Sequence, residues 1–208
     1  MVEANDAIAV TDALGLDHYH VIGTSRGGIL AVVMATMRAA QISRIVLNDI
    51  GPRIEVRGLA RIKAYLGRID RPANWDEAVR LLKDASAGAF PERSAREWRA
   101  VAEATFHEQA SSLRPSFDRA LLKPLGEMDL SRPLPEFWSQ FAALRRHPVL
   151  AVRGALSDLL SAETLREMEE RHPRLRTCVV PATGHAPSLS EPAAERAVLA
   201  FLSRAPND

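Results

Sequence analysis

Three kinds of side chain in this sequence could act together as a nucleophile, a base and an orienting acid. Ser25 lies in Gly23-Thr-Ser25-Arg-Gly27, and His185 lies in Pro181-Ala-Thr-Gly-His185-Ala-Pro187. Asp158, in Arg153-Gly-Ala-Leu-Ser-Asp158, and Asp49, in Asp49-Ile-Gly-Pro52, are the candidate acids. A serine hydroxyl is a poor nucleophile at neutral pH and needs a neighbouring base. Imidazole titrates in the right range to serve. A carboxylate then fixes the imidazole tautomer and stabilises the imidazolium that forms. The chemistry this set could do is acyl transfer: attack on an acyl carbon, a covalent intermediate, and its release by water.

The surroundings of each residue decide whether the three can meet. Gly-x-Ser-x-Gly by itself is weak, since average usage of these residues produces it in about one chain of this size in fifteen. Here it falls between the β-prone run His18-Tyr-His-Val-Ile-Gly23 and the apolar, helix-forming run Gly27 to Ala39. A serine on such a strand-to-helix turn is pushed out at the carboxyl edge of a sheet, and small residues two before and two after let the backbones approach. His185 follows the strand-like Arg176-Thr-Cys-Val-Val180 and can lean over the same edge. His18 and His20 begin their strand, on the opposite edge. His107 and His172 lie in or at the end of helical segments, His147 precedes a strand-opening proline, and these five read as surface or lid residues. Asp158 follows the strand-like Val149-Leu-Ala-Val-Arg153 and is the favoured acid. Asp49 follows Arg44-Ile-Val-Leu-Asn48 and competes, though it also reads as a turn cap before Gly51-Pro52. Three strand ends thus offer Ser25, Asp158 and His185 in that chain order.

The elements that must position them alternate helix and strand at both ends of the chain. Ala7, Ile8, Val10, Thr11 and Leu14 fit a first helix, stopped at Gly15. Ser161 to Arg171 and Glu191 to Ser203 read as later helices. Continuous apolar strands between helices argue for an α/β fold with a parallel sheet covered on both faces. The middle of the chain differs: it reads as helical, with no convincing strand. Leu59, Ile62, Leu66 and Ile69 repeat at helical spacing; capping patterns start at Asn74/Glu77 and Ser94/Glu97. The expected organisation is a discontinuous core, residues 1–52 and 147–208, interrupted by a helical cap or lid, residues 53–146. All three tryptophans and five of the six phenylalanines fall in that insert. They read as the insert's own core, with some of them walling an apolar substrate pocket.

Composition narrows the function classes. The chain has 208 residues, 47% hydrophobic and 25% charged, with 27 basic against 26 acidic side chains. A net charge of +1 supplies no global field for nucleic acid or an anionic membrane. One cysteine excludes an internal disulfide framework and a multi-cysteine metal site. Cys178 reads as a small core residue. Apolar runs such as Ile29 to Ala35 are too short to span a bilayer, and the N-terminus lacks the pattern of a secretory signal. A cytoplasmic location is the default expectation. The basic stretch Arg57, Arg61, Lys63 and Arg68 reads as the wet face of a lid helix.

Taken together, the Ser25 elbow, the acid loop ending at Asp158, the Gly-His185-Ala-Pro loop and a helical insert after the second strand resemble the α/β-hydrolase fold family. The resemblance covers nearly the whole chain. It implies a serine hydrolase that cleaves an ester, lactone or similar acyl bond of a small molecule, with a Ser25–Asp158–His185 triad and the backbone N–H of Arg26 in the oxyanion hole. It implies no cofactor and no metal, and small molecules rather than nucleic acid or membrane as partners. The same triad would also suit perhydrolysis or C–C bond hydrolysis. The Arg26 side chain reads as an exposed or paired cation, with a carboxylate-binding role as the alternative.

One departure bears on activity. The family carries further strands, and a His-Gly loop that supplies a second oxyanion donor, before the elbow. Only 24 residues precede Ser25 here. The expectation is an N-terminally incomplete sheet from a truncated or mis-started reading frame. The strand Tyr19 to Ile22 then becomes an exposed edge, a template for self-association. The alternative to an enzyme is a non-catalytic or inactive remnant of the fold.

Overall fold

Four apolar runs pair into one parallel sheet, and their common carboxyl edge carries the candidate residues. The computed structural model describes residues 2–66, 72–110 and 112–204. In chain order, α1 (Val2–Ala13) leads to β1 (Tyr19–Thr24), α2 (Arg26–Met37) and β2 (Ile42–Asn48). Then come α3 (Val56–Leu66), α4 (Trp75–Ser86), α5 (Ala95–Thr105), β3 (Phe106–Gln109), β4 (Ser112–Pro115) and α6 (Lys123–Glu127). The chain closes with α7 (Trp138–Ala142), β5 (Val149–Gly154), α8 (Ala162–Arg171), β6 (Leu175–Val180) and α9 (Pro192–Leu202). It divides into two compact units: Met1–Glu55 with Leu134–Asp208, and Val56–Pro133.

The first unit holds the sheet, in the order β1-β2-β5-β6 with every neighbouring pair parallel. β5 is buried along its whole length, and β2 is buried except at Ser43. Continuous burial is what Ile45-Val-Leu and Val149-Leu-Ala-Val sequences are suited to, because helices cover both faces of a parallel sheet. Val46, Leu150, Val152 and Val180 pack on Ala194, Val198 and Phe201 of α9. Gly28, Ala31, Met34 and Ala35 form the buried stripe of α2. α8 starts where the Ser161 hydroxyl accepts the Thr164 N–H at 3.1 Å, which satisfies a helix-end donor. Among the described residues β1 pairs with β2 alone, and Ile22 on it is 48% exposed.

Two histidines read as surface or lid residues are buried in this unit, His147 and His172. The C-terminal turn of α8 delivers His172 against the residues before β5. Its Nδ1 accepts the Arg174 N–H at 3.2 Å, so its Nε2–H donates to the Leu144 carbonyl at 3.0 Å. Their residue type suggested exposure, and for His172 these backbone partners make burial tolerable.

The second unit is mostly helical. Asn74 caps α4 by accepting the Glu77 N–H at 3.0 Å, and Ser94 and Glu97 form a reciprocal capping box on α5. Ala78, Leu82, Phe90, Trp98, Ala102, Phe106 and Leu113 make its core. The Phe90 and Trp98 rings meet edge to face at 6.3 Å, a favoured aromatic geometry. The expectation of no strand is overturned here: β3 and β4 form an antiparallel hairpin running from the Phe106–Pro115 pair to the Gln109–Ser112 pair. His107 therefore lies in a strand. Each strand has four residues and buries only one, Phe106 or Leu113, too few for an alternating pattern to register.

The insert is also shorter than residues 53–146. The segment from Leu134 onward belongs with the sheet unit. There the Phe137 N–H donates to the Pro52 carbonyl at 2.7 Å and Arg53 pairs with Glu136 at 2.8 Å. The stripe Phe137, Trp138, Phe141 and Leu144 is thus part of that unit, whereas Phe90, Trp98 and Phe106 belong to the helical one. Ile69 and Arg68, counted in the first helix of the insert and its basic face, lie outside the described residues. No described helix is long and apolar enough to cross a membrane.

Candidate active site

Ser25 stands between the last residue of β1 and the first of α2, with φ 51° and ψ −119°. A non-glycine residue in this region stores roughly 1–3 kcal/mol of strain, which the surrounding packing must hold. The packing is tight. A Cβ added at Gly23 would sit 2.4 Å from the Gly27 carbonyl oxygen, and one at Gly28 would sit 2.3 Å from Ile50 Cγ2. A Cβ on Gly27 would meet nothing within 4 Å. The elbow therefore needs glycine at 23 and 28, and at 27 only the close backbone matters. The Ser25 N–H donates to the Asn48 carbonyl at 3.0 Å, extending the β1–β2 ladder one residue past the strands.

The Asp49 N–H does the same toward β5, donating to the Val152 carbonyl at 2.7 Å. Register pairs Thr24 with Asn48 and Asn48 with Val152. Ser25 and Asp49 are thus equivalent positions on neighbouring strands, each one residue beyond the row. Both have positive φ, 54° at Asp49.

The loop after β6 crosses back over β5 to reach them. Gly154 permits this: a Cβ there would lie 2.3 Å from the Thr183 carbonyl oxygen and 2.5 Å from that of Gly184. Asn48, 1% exposed, anchors the far end, its Nδ2 donating to the Pro187 carbonyl at 2.8 Å and to Thr24 Oγ1 at 3.0 Å. His185 arrives between Ser25 and Asp49. Its Nδ1 lies 2.8 Å from Asp49 Oδ2, and its Nε2 lies 3.0 Å from Ser25 Oγ. With Nδ1–H donating to the carboxylate, Nε2 is left to accept the Ser25 O–H.

The expected acid, Asp158, is not the one bonded to His185 Nδ1; Asp49 is. After β5 the chain turns sharply, with the Ser157 N–H donating back to the Gly154 carbonyl at 2.9 Å. That turn aims Ser157 at the network. The Ser157 hydroxyl donates to Asp49 Oδ2 at 2.5 Å and accepts the Leu159 and Leu160 N–H groups at 3.2 and 3.1 Å. The Gly154 N–H donates to Asp49 Oδ1 at 2.8 Å. The fully buried Asp49 carboxylate thereby receives three donors, the condition under which a buried charge is tolerable. Sequence reading missed Gly154, Ser157 and Asn48 as site-building residues. The available signal was position: Asn48 and Asp49 close a strand whose neighbours end at the same edge.

Arg26 is the first residue of α2, where backbone N–H groups point out of the helix end. The N–H groups of Gly28 and Ile29 turn back to the Ser25 carbonyl at 2.9 and 3.3 Å. Its guanidinium grips both oxygens of Glu3, at 2.7 and 3.0 Å, in agreement with the paired-cation reading. Cys178 is half-buried, 3.6 Å from the Ala193 carbonyl. Among the described residues, no group of three His, Cys, Asp or Glu side chains is placed to hold a metal ion.

Residues 1–192 match the family model described as the alpha/beta hydrolase fold. The chain is 30% identical over 203 residues to a 3-hydroxybutyrate-oligomer hydrolase of Cupriavidus necator, covering 91% of this chain and 66% of that one. It is 26% identical to a 2-(acetamidomethylene)succinate hydrolase of Mesorhizobium japonicum, covering 88% and 63%. The crystal structure of an alpha/beta hydrolase from Novosphingobium aromaticivorans superposes with a TM-score of 0.88 at 32% identity, covering 97% of this chain and 71% of that one. The chain thus spans about two thirds of the length of the curated relatives it matches. With its parallel sheet, its elbow at Ser25 and this match, the chain belongs to the alpha/beta hydrolase fold family.

Proposed function

We propose that this protein is a serine hydrolase that cleaves an ester or similar acyl bond of a small molecule, with Ser25 as nucleophile, His185 as base and Asp49 as orienting acid. The observation that carries this reading is the continuous series from Ser25 Oγ to His185 Nε2, 3.0 Å, and from His185 Nδ1 to Asp49 Oδ2, 2.8 Å. Its kinship with proteins named as hydrolases, among them a 3-hydroxybutyrate-oligomer hydrolase, supports the reaction class.

Ser25 Oγ attacks the acyl carbon while its proton passes to His185 Nε2, and the carbonyl π pair moves to oxygen. The Arg26 N–H, at the positive end of α2, points positive charge at that oxyanion. As the tetrahedral intermediate collapses, the leaving alcohol takes the proton from Nε2. Water then gives a proton to Nε2 and attacks the acyl carbon, and the acid departs as Ser25 regains its proton. Asp49 stays ionised throughout, holding the tautomer and offsetting the imidazolium charge. A fluorophosphonate probe should label the protein at Ser25, and Ser25→Ala should abolish labelling. Wild-type protein that resists the probe while folded would favour the non-catalytic alternative.

A further inference from the structure

The first two turns of α2 wall an apolar cavity of about 150 Å³. Ile29, Val32, Val33, Ile50, Phe137 and Phe141 are among its lining residues. No charged residue lines it, and Gln140 is the single polar side chain among its walls. Two of its lining residues adjoin the candidate catalytic residues. Gly28 lies one helical turn past Ser25 and donates its N–H to the Ser25 carbonyl at 2.9 Å, and Ile50 directly follows Asp49. Of its lining residues Phe141 is buried and Gln140 exposed.

We propose that this cavity binds an apolar group of about six carbons and, on the hydrolase reading above, receives the hydrocarbon part of the ester. An apolar cavity of this volume accommodates a benzene-sized guest. With no charged wall to pair with it, an ionised or sugar-like group would enter without partners for its polar atoms. Each methylene moved from water into such a site strengthens binding about fourfold. Where this binding persists in the transition state it raises kcat/KM. Lengthening the chain from two carbons to six should therefore raise kcat/KM by on the order of 10²-fold, with no further gain once the cavity is full.

Two ester series separate the two parts of the substrate: p-nitrophenyl acetate to octanoate varies the acyl chain, and ethyl to octyl acetate varies the alcohol. One of the two should show the rise to six carbons. Val33→Phe, which fills the cavity, should lower the six-to-two-carbon selectivity in that series at least tenfold. Ile29→Ala, which enlarges it, should move the optimum toward eight carbons. A second readout needs no turnover: saturating benzene should raise the thermal midpoint of Ser25→Ala protein, and Val33→Phe should remove that rise. Flat selectivity in both series overturns the proposal, as does a benzene response that is missing or unchanged by Val33→Phe. A benzene response that Val33→Phe removes, in a protein that turns over no ester, refutes the hydrolase reading alone and sustains the apolar site.

Discussion

Ser157 and His185 converge on one oxygen: the hydroxyl of the first reaches Asp49 Oδ2 at 2.5 Å, and Nδ1 of the second reaches the same atom at 2.8 Å. The loop after β5 therefore hydrogen-bonds to Asp49, which stands one strand away, after β2.

The two aspartates should separate cleanly in a kinetic test. Asp49→Asn keeps the shape but reverses the tautomer that His185 must hold, and kcat should fall about 10³–10⁴-fold. Asp158→Asn should stay within a few-fold of wild type. Steady-state turnover of a p-nitrophenyl ester by both variants checks this. The opposite ranking would restore Asp158 as the acid.

Ser157 is expected to act as a positioning residue, through Asp49. A hydrogen bond to a charged group contributes about 1.5–3 kcal/mol, so Ser157→Ala should lower kcat at least tenfold with KM little changed. Ser157→Thr, which retains the hydroxyl, should recover most of the loss. A variant that merely loosened the fold would change KM as well and gain nothing from threonine.

Gly154 is expected to tolerate no side chain. A methyl there would meet the Thr183 and Gly184 backbone oxygens at 2.3 and 2.5 Å, and neither can move without shifting the loop that carries His185. Overpacking of this kind costs about 1–3 kcal/mol. Gly154→Ala should lower the urea midpoint and depress turnover, whereas Gly27→Ala, facing open space, should be far milder on stability. Equal urea midpoints for the two variants would contradict the close approach.

Acid should destabilise the fold through its buried histidines. Burial holds the His172 imidazole below its usual value, with hydrogen bonds to the Leu144 and His172 backbone opposing and Arg145 and His147 adding to the depression. Burial lowers His147 likewise, against a backbone hydrogen bond at Ile42 and with help from Arg174. A group whose folded pKa lies below its unfolded one, about 6.5 for histidine, contributes its stability above that value and loses it as pH falls through the folded pKa. The denaturation midpoint should therefore drop between pH 7 and pH 5. His172→Gln should flatten part of that slope, and an unchanged slope would assign the effect elsewhere.

The amino-acid sequence by itself determined everything that depends on near neighbours. A glycine-flanked serine between a β-prone run and a helix-forming run makes its own elbow, because the steric demand at Gly23 is met by residues four and five positions on. His185 was legible because it follows the last strand at the edge where Ser25 emerges. Helix starts at Asn74, Ser94 and Ser161 were legible because a cap needs only a side chain and an N–H three residues away. Which aspartate bonds His185 was decided only by tertiary structure. Asp49 and Asp158 both follow a strand, and nothing local tells which carboxylate will meet three donors. That depended on strand order, which sets β2 between β1 and β5, and on a turn at Gly154 that presents Ser157 to Asp49. The hairpin and the burial of His172 belong to the same class, since each is stabilised by partners that the chain reaches only after it has folded back on itself.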